Sequence, residues 1–376
     1  MADKGILTLN AGSSSLKVAL FDGGAPPGRI FSYAVARVGQ TVADHAQALD
    51  VALAQLEAHG GLGALAAVGH RVVHGGPRYA SPQLVTPGVI EELKRLAVLD
   101  PDHLPAEIAI LEAMRSRAPS LPQVACFDTA FHRAHPFISD TYALPRSYYD
   151  DGVRRYGFHG LSYEFMTRKL RTIAPQIARE DVIIAHLGNG ASMCAVHDGR
   201  AVATTMGFTA LDGLSMGTRC GQIDPGVVLY LMAEKKMSAD AISDLLWENS
   251  GLKGMSGLSQ DMRELEASDS PAAQEAIAYF VSRIRRELAG LQATVNGAEG
   301  IVFTAGIGEH SWKVREAALN DMEWMGVHLD VEANRANAQI ISAKTSPTMV
   351  FVIPTNEELM IAEHTASTAG VGKVKQ

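Results

Sequence analysis

The sequence predicts an α/β protein assembled from two related halves. Three observations carry that expectation. Short apolar runs of strand length alternate with stretches whose apolar residues recur at helical spacing. Several of the runs end in tips rich in glycine or serine. The pattern that opens the chain also returns near its middle, which suggests an internal duplication.

Ile6–Leu9 reads as a strand running into Ala11-Gly12-Ser13-Ser14, and Leu16–Phe21 as a second strand leading to the turn Asp22-Gly23, so the two form a hairpin. Val42, Ala46, Leu49, Leu53 and Leu56 recur at steps of three and four, which predicts an amphipathic helix with Thr41 as its cap. A strand over Val68–Val73, helices after Pro87 and Pro105, and a strand over Val124–Phe127 complete a half of domain size. The second half opens in the same way. Val182–Leu187 is a strand of the fully buried type, Gly188-Asn189-Gly190 its tip, Met193–Val196 the return and Asp198-Gly199 the next turn. The interval from Gly12 to Asp22-Gly23 equals that from Gly188 to Asp198-Gly199. Helices are expected after Asp224-Pro225, after Ser238 and from Pro271 to about Asn296. A strand over Ile301–Thr304 meets a third tip, Ala305-Gly306-Ile307-Gly308-Glu309, and a helix follows. The last strand, Val350–Ile353, feeds a helix in which Thr355 and Glu358 have capping-box spacing.

Composition narrows the function. With 376 residues, 47% of them apolar, the chain can bury a full core and is neither disordered nor fibrous. Its net charge is −8 and no run of Lys or Arg stands out, so neither nucleic acid nor an anionic membrane is expected as a partner. The first apolar run is too short for a signal sequence and no later one approaches a membrane span, which predicts a soluble, cytoplasmic protein. Cys126, Cys194 and Cys220 have no C-x-x-C spacing, so neither a disulfide framework nor a structural zinc is indicated.

Glycine tips at strand ends let backbone N–H groups approach anionic oxygens, and the first tip adds Asn10, Ser13, Ser15 and Lys17, more donors than a turn needs. P-loop and dinucleotide spacings are both absent. The segment Asn10–Lys17, N-A-G-S-S-S-L-K, resembles the opening signature of the acetate kinase family. Further segments resemble that family in order: G-H-R-V-V-H-G-G from Gly69, F-D-T-A-F-H from Phe127, R-R-Y-G-F-H-G from Arg154, H-L-G-N-G-A-S from His186, G-L-S-M-G-T-R-C-G from Gly213, F-T-A-G-I-G-E from Phe303 and P-T-N-E-E from Pro354. The resemblance spans almost the whole chain.

It implies duplicated ribonuclease-H-like lobes of the actin-like ATPase superfamily with an interlobe ATP cleft. Residues 1–130 with a C-terminal helix over 358–376 would form the first lobe and residues 131–357 the second. The implied reaction is acetate + ATP = acetyl phosphate + ADP, by direct in-line transfer with Mg²⁺, in a homodimer. Arg71 and Arg219 have forks suited to a carboxylate and a transferring phosphoryl group, the use the family makes of the matching arginines. Asp128 ends an apolar strand, where α/β proteins place reactive groups. An acceptor carboxylate has no proton to give up near neutral pH, so organising Mg²⁺ or its waters suits Asp128 better than acting as a base. The resemblance makes His159 a donor to the transferring phosphoryl group, Asn10 and Glu357 metal-associated, and His103 a counterpart of a second family histidine only after a shift of register. For ATP it implies Ser13, Ser15, Lys17, His186, Leu187, Gly188, Asn189, Gly190, Asp261, Met262, Arg263, Gly306, Ile307, Gly308, Glu309 and His310, with Met262 and His310 departing from the usual Phe and Asn. Val73, Phe158 and Ala210 would line the acyl pocket. Ala210 stands where proline is usual, and Leu161 and Tyr163 where Thr and His are, so propionate is an alternative acceptor. A hydroxyl-acceptor kinase or an actin-like nucleotide switch are the remaining readings.

Overall fold

A computed structural model of the chain describes residues 4–12 and 15–371. It divides into two compact units: Met1–Arg133, Phe158–Ser162 and Asn356–Gln376 in the first, Ala134–Gly157 and Tyr163–Thr355 in the second.

The first unit is built on a mixed sheet of β1 (Gly5–Gly12), β2 (Ser15–Phe21), β3 (Arg29–Ala36), β4 (Leu65–Val72), β5 (Gln83–Leu84) and β6 (Gln123–Phe127), in the order β3-β2-β1-β4-β6-β5. The first three strands form an antiparallel meander, and β4 and then β6 add parallel to β1. Side chains along a strand alternate between faces, and both faces are covered at β1, β4 and β6, which is why these strands read as nearly continuous apolar runs. Leu7, Leu9 and Val18 pack with Leu49, Ala52, Ile110 and Met114 of the helices His45–Leu56 and Leu104–Arg117. Ile6, Ala19 and Phe21 pack with Ala362 of the helix Glu357–Ala369. That helix lies so close to β4 that a Cβ at Gly69 would come within 2.1 Å of Thr365 Oγ1.

The second unit has β7 (Asp181–Leu187), β8 (Ala191–His197), β9 (Arg200–Thr204), β10 (Gly300–Thr304) and β11 (Met349–Val352), in the order β11-β10-β7-β8-β9. Its first three strands again form an antiparallel meander, and two further strands add parallel to the first. Leaving β5 aside, the two sheets have one topology, so the repeat seen in the hairpins is a repeat of whole sheets. Phe280, Ile284 and Leu288 of the long helix Pro271–Thr294 are fully buried.

Several local expectations are corrected. Thr41 does not cap the first helix; its hydroxyl donates to Ala36 O, and Asp44 caps by accepting from Gln47 N–H. Thr355 does not cap the last helix, because Asn356 does, accepting from Leu359 N–H. The segment Ala305–His310 is itself a helix rather than a loop before one. Strands β3 and β9 and the helix Gly160–Ile173 were not expected at all. Ser13, one of the expected phosphate donors, lies outside the described residues.

Candidate functional site

In the first unit the parallel strands β4 and β6 bring their C-terminal ends together, the edge at which open α/β sheets collect reactive groups. Asp128 follows β6 directly and extends the ladder by donating its N–H to Val72 O at 3.0 Å. Its carboxylate therefore meets Arg71. Arg71 Nε and Nη2 both donate to Asp128 Oδ2, at 3.0 and 2.6 Å, and Nη1 donates to Asn10 Oδ1 of β1 at 3.2 Å. Asp128 is fully buried and Arg71 nearly so. Burial alone would lower the Arg71 pKa, but the carboxylates of Asp128, Glu357 and Glu107 more than offset it and hold the guanidinium charged.

Glu357 begins the helix Glu357–Ala369; burial raises its pKa, Arg71 and Lys17 oppose that rise, and Glu358 adds to it. Lys17 lies opposite Asn10 on β2, and Ser15 opposite Gly12. His159 is buried with φ of 57°, a left-handed conformation that a non-glycine residue keeps only when its surroundings impose it. The cause lies next to it: Gly160 N–H donates to Asp128 O at 3.0 Å, and a Cβ there would sit 2.1 Å from that oxygen. Phe158 stands edge-on to His74, and its carbonyl accepts from His132 Nε2 at 2.9 Å. Val73 is buried, and its N–H donates to Glu107 Oε2 at 2.9 Å. The first unit thus gathers Asn10, Arg71, Val73, Asp128, Phe158, His159 and Glu357. His103 precedes the helix Leu104–Arg117, its Nδ1 2.8 Å from the buried carboxylate of Asp100.

In the second unit, Arg219 and Ala210 come together. Arg219 Nη1 donates to Ala210 O at 3.4 Å, and the guanidinium stacks over Trp247 at 5.1 Å from the ring centroid. A cavity of about 380 Å³ is lined by Gly188, Asn189, Asp261, Met262, Arg263, Gly306, Ile307 and His310, all expected on the nucleotide side, and by Gln260, Glu266 and Ser311, which were not. Asp261 caps the helix Met262–Glu266 and holds Arg263, whose guanidinium lowers the Asp261 pKa. Other expected nucleotide residues form the frame behind the cavity. His186 and Leu187 are buried in β7, next to the tip that includes Gly190. Glu309 Oε1 accepts from Ala305 N–H at 2.8 Å and Thr355 N–H at 3.1 Å. Buried Arg315 donates to the carbonyls of Gly308 and Glu309. Tyr163 is held inside this unit by a hydrogen bond to Ser192 at 2.5 Å.

Asn10, Asp128 and Glu357 around Arg71 offer hard oxygen donors. Mg²⁺ takes one or two carboxylates and completes its octahedron with water and phosphate, so this set fits it without an all-protein cage. Among the described residues no cluster of three or more His, Cys, Asp or Glu side chains forms such a cage.

The family model described as Acetokinase family matches residues 5–363. The chain belongs to that family. An acetate kinase of Methylocella silvestris is 56% identical over 390 residues, covering 96% of each chain. Among solved structures, Porphyromonas gingivalis acetate kinase is 33% identical with a TM-score of 0.87, covering 97% of this chain and 99% of its own. A propionate kinase from Francisella tularensis is 33% identical with a TM-score of 0.89 and the same coverage. Within this acetokinase chain, the departures at Met262 and His310 both fall on the cavity wall, Met262 buried and His310 exposed. Glu107, Gln260, Glu266 and Ser311 were missed. Their only sequence signals are an acid in the first turn after Pro105 and the positions flanking Asp261–Arg263 and Gly306–His310.

Proposed function

We propose that the chain moves the γ-phosphoryl group of ATP onto acetate by direct in-line transfer, giving acetyl phosphate and ADP. Acetate kinase, a phosphotransferase, is the activity of its family, and identity of 56% over nearly the full length supports it here. The observation that carries the assignment of roles is the Arg71–Asp128–Asn10 arrangement. A guanidinium fixed on one side by a buried carboxylate keeps a rigid fork for an acid anion or phosphoryl oxygen, at no cost in reorganisation during transfer. Arg71 and Arg219 are the two guanidinium groups for the acceptor carboxylate and the transferring group, and His159 donates to that group. Val73, Phe158 and Ala210 line the acceptor's methyl side. Asp128 acts by orienting Arg71 and, with Asn10 and Glu357, the waters of Mg²⁺. When bound, the metal supplies neutralisation of phosphate charge. The cavity of the second unit takes the adenosine, with Lys17, Ser13, Ser15 and the His186–Gly190 turn serving the phosphates.

Hydroxylamine trapping after incubation with ATP, Mg²⁺ and each acid tests this reading. Acyl hydroxamate from acetate is expected, whereas a hydroxyl-acceptor kinase or a nucleotide switch yields none. Comparing kcat/KM for acetate, propionate and butyrate separates the acceptors; propionate is expected to react as well, because one methylene is worth only about 1–3 kcal/mol. A preference for butyrate would overturn the assignment of acceptor.

The working form proposed is a cytoplasmic homodimer. Among the described residues no helix is long and apolar enough to cross a membrane. The helix Pro225–Ala233 supports self-association, since it buries none of its residues and exposes Val227, Leu229, Tyr230 and Met232. Contiguous apolar surface of this kind marks an interface. Leu229→Glu is expected to give a monomer in sedimentation velocity; a dimer of unchanged affinity would remove this helix from the interface.

A further inference from the structure

The end of β4 holds a buried acid that the reaction as described does not use. Ladder pairing between β4 and β6 stops at Val72, so the next N–H, that of Val73, leaves the sheet without a strand partner. Its partner is Glu107 Oε2, reached from the first turn of the helix Leu104–Arg117. A first-turn acid is favoured by the helix dipole, but that benefit is available at the surface and gives no reason for burial. Glu107 is 2% exposed, and among the described residues its Oε1 finds no hydrogen-bond partner. Burying a carboxyl group half-satisfied is unfavourable, and an apolar side chain would avoid the penalty while losing the grip on Val73.

We propose that Glu107 is a positioning residue for the acyl side of the site: its carboxyl group holds the Val73 main chain and so sets how large an acid is accepted. The inference rests on the reading that Val73 lines the acceptor's methyl side. Arg71 lies two residues before Val73 on the same chain, so the bond to Glu107 fixes both the cation that takes the carboxylate and the wall that meets the alkyl group. Burial pushes the Glu107 carboxyl well above the usual range, against the opposing influence of Arg71. Gln keeps both the reach and an oxygen that can accept from Val73 N–H. Asp keeps the acid but shortens its reach.

The test compares kcat/KM for acetate and propionate, at saturating ATP and Mg²⁺, in wild type, Glu107→Ala, Glu107→Asp and Glu107→Gln. Glu107→Ala and Glu107→Asp are expected to shift the propionate-to-acetate ratio about tenfold. Glu107→Gln should keep the wild-type ratio, and KM for ATP should stay unchanged in all three. Should Glu107→Ala fail to fold, Asp against Gln decides. A ratio that stays constant while all rates fall together would make Glu107 only part of the scaffold and overturn the inference. A shift in Gln as large as in Asp would overturn it too, since a side chain that keeps the reach to Val73 would then fail to keep the ratio. Absence of acyl phosphate from the wild-type chain with either acid would instead bring down the reading of function on which the inference rests.

Discussion

The two units share a sheet topology, yet the ends of their sheets are built from different materials. In the first unit, the edge formed by β4 and β6 is organised by charge, with Arg71, Asp128 and Asn10 locked together and Glu357 and Glu107 in the field of the guanidinium. In the second, the edge formed by β7 and β10 is organised by backbone. Gly188 and Gly306 open a cavity, and Glu309 and Arg315 hold its frame through main-chain N–H and C=O groups. A duplicated scaffold has thus been specialised by the side chains at equivalent strand ends: one end fixes charges, the other fixes a shape.

The comparison can be broken in order of expected effect. Arg71→Ala removes the centre of the charged edge and is expected to lower kcat by about 10³-fold or more. The same change costs about 3–5 kcal/mol in unfolding free energy, because Asp128 is left buried without its cation. Near-normal turnover in that variant would end the proposal that this edge carries chemistry. Arg71→Lys keeps the charge but cannot bond Asp128 twice and Asn10 once, so most of the loss should persist. Glu309→Ala attacks the backbone-built edge. It frees the N–H groups of Ala305 and Thr355, worth about 1–3 kcal/mol. The loss should appear as a raised KM for ATP with the KM for acetate little changed, and equal effects on both would blur the division between the edges.

A further expected effect is one of pH. His70, on β4 beside Arg71, has its pKa lowered to about 4 by burial, with Gln123 offsetting part of the drop. A histidine buried neutral contributes its stability above about pH 6.5 and loses it as pH falls towards about 4, because only the unfolded chain takes up the proton in that window. Wild type should therefore lose up to about 1.4 kcal/mol per pH unit there relative to His70→Gln. Parallel denaturation curves for the two proteins across that range would mean that the ring is hydrated.

Much of this was legible in the sequence. Strands β1, β2, β7 and β8 stood out because most of their residues are buried, leaving few polar positions to interrupt the apolar run. Strand β3 was missed because it lies at the sheet edge with most of its residues partly or fully exposed, although Phe31, Tyr33 and Val35 do alternate. The spacing of Val42 and Ala46 points to a helix that starts at Thr41, but Val42 instead forms a bridge with Val38. Arg71, Asp128 and His159 were legible through their motifs. Glu107 was not, and neither was the manner in which Glu309 acts. Their partners are main-chain N–H groups of Val73, Ala305 and Thr355, and a backbone donor leaves no mark in residue type.

The helix Glu357–Ala369 completes the core of a unit whose strands all precede Ala134. On the ribosome, β1 to β6 emerge early but lack the cover for Ile6, Ala19 and Phe21 until the entire second unit has been translated. The nascent first sheet therefore waits with one apolar face bare while the second unit emerges. Chains released before Asn356 would lack that cover and leave Ile6, Ala19 and Phe21 exposed on that face.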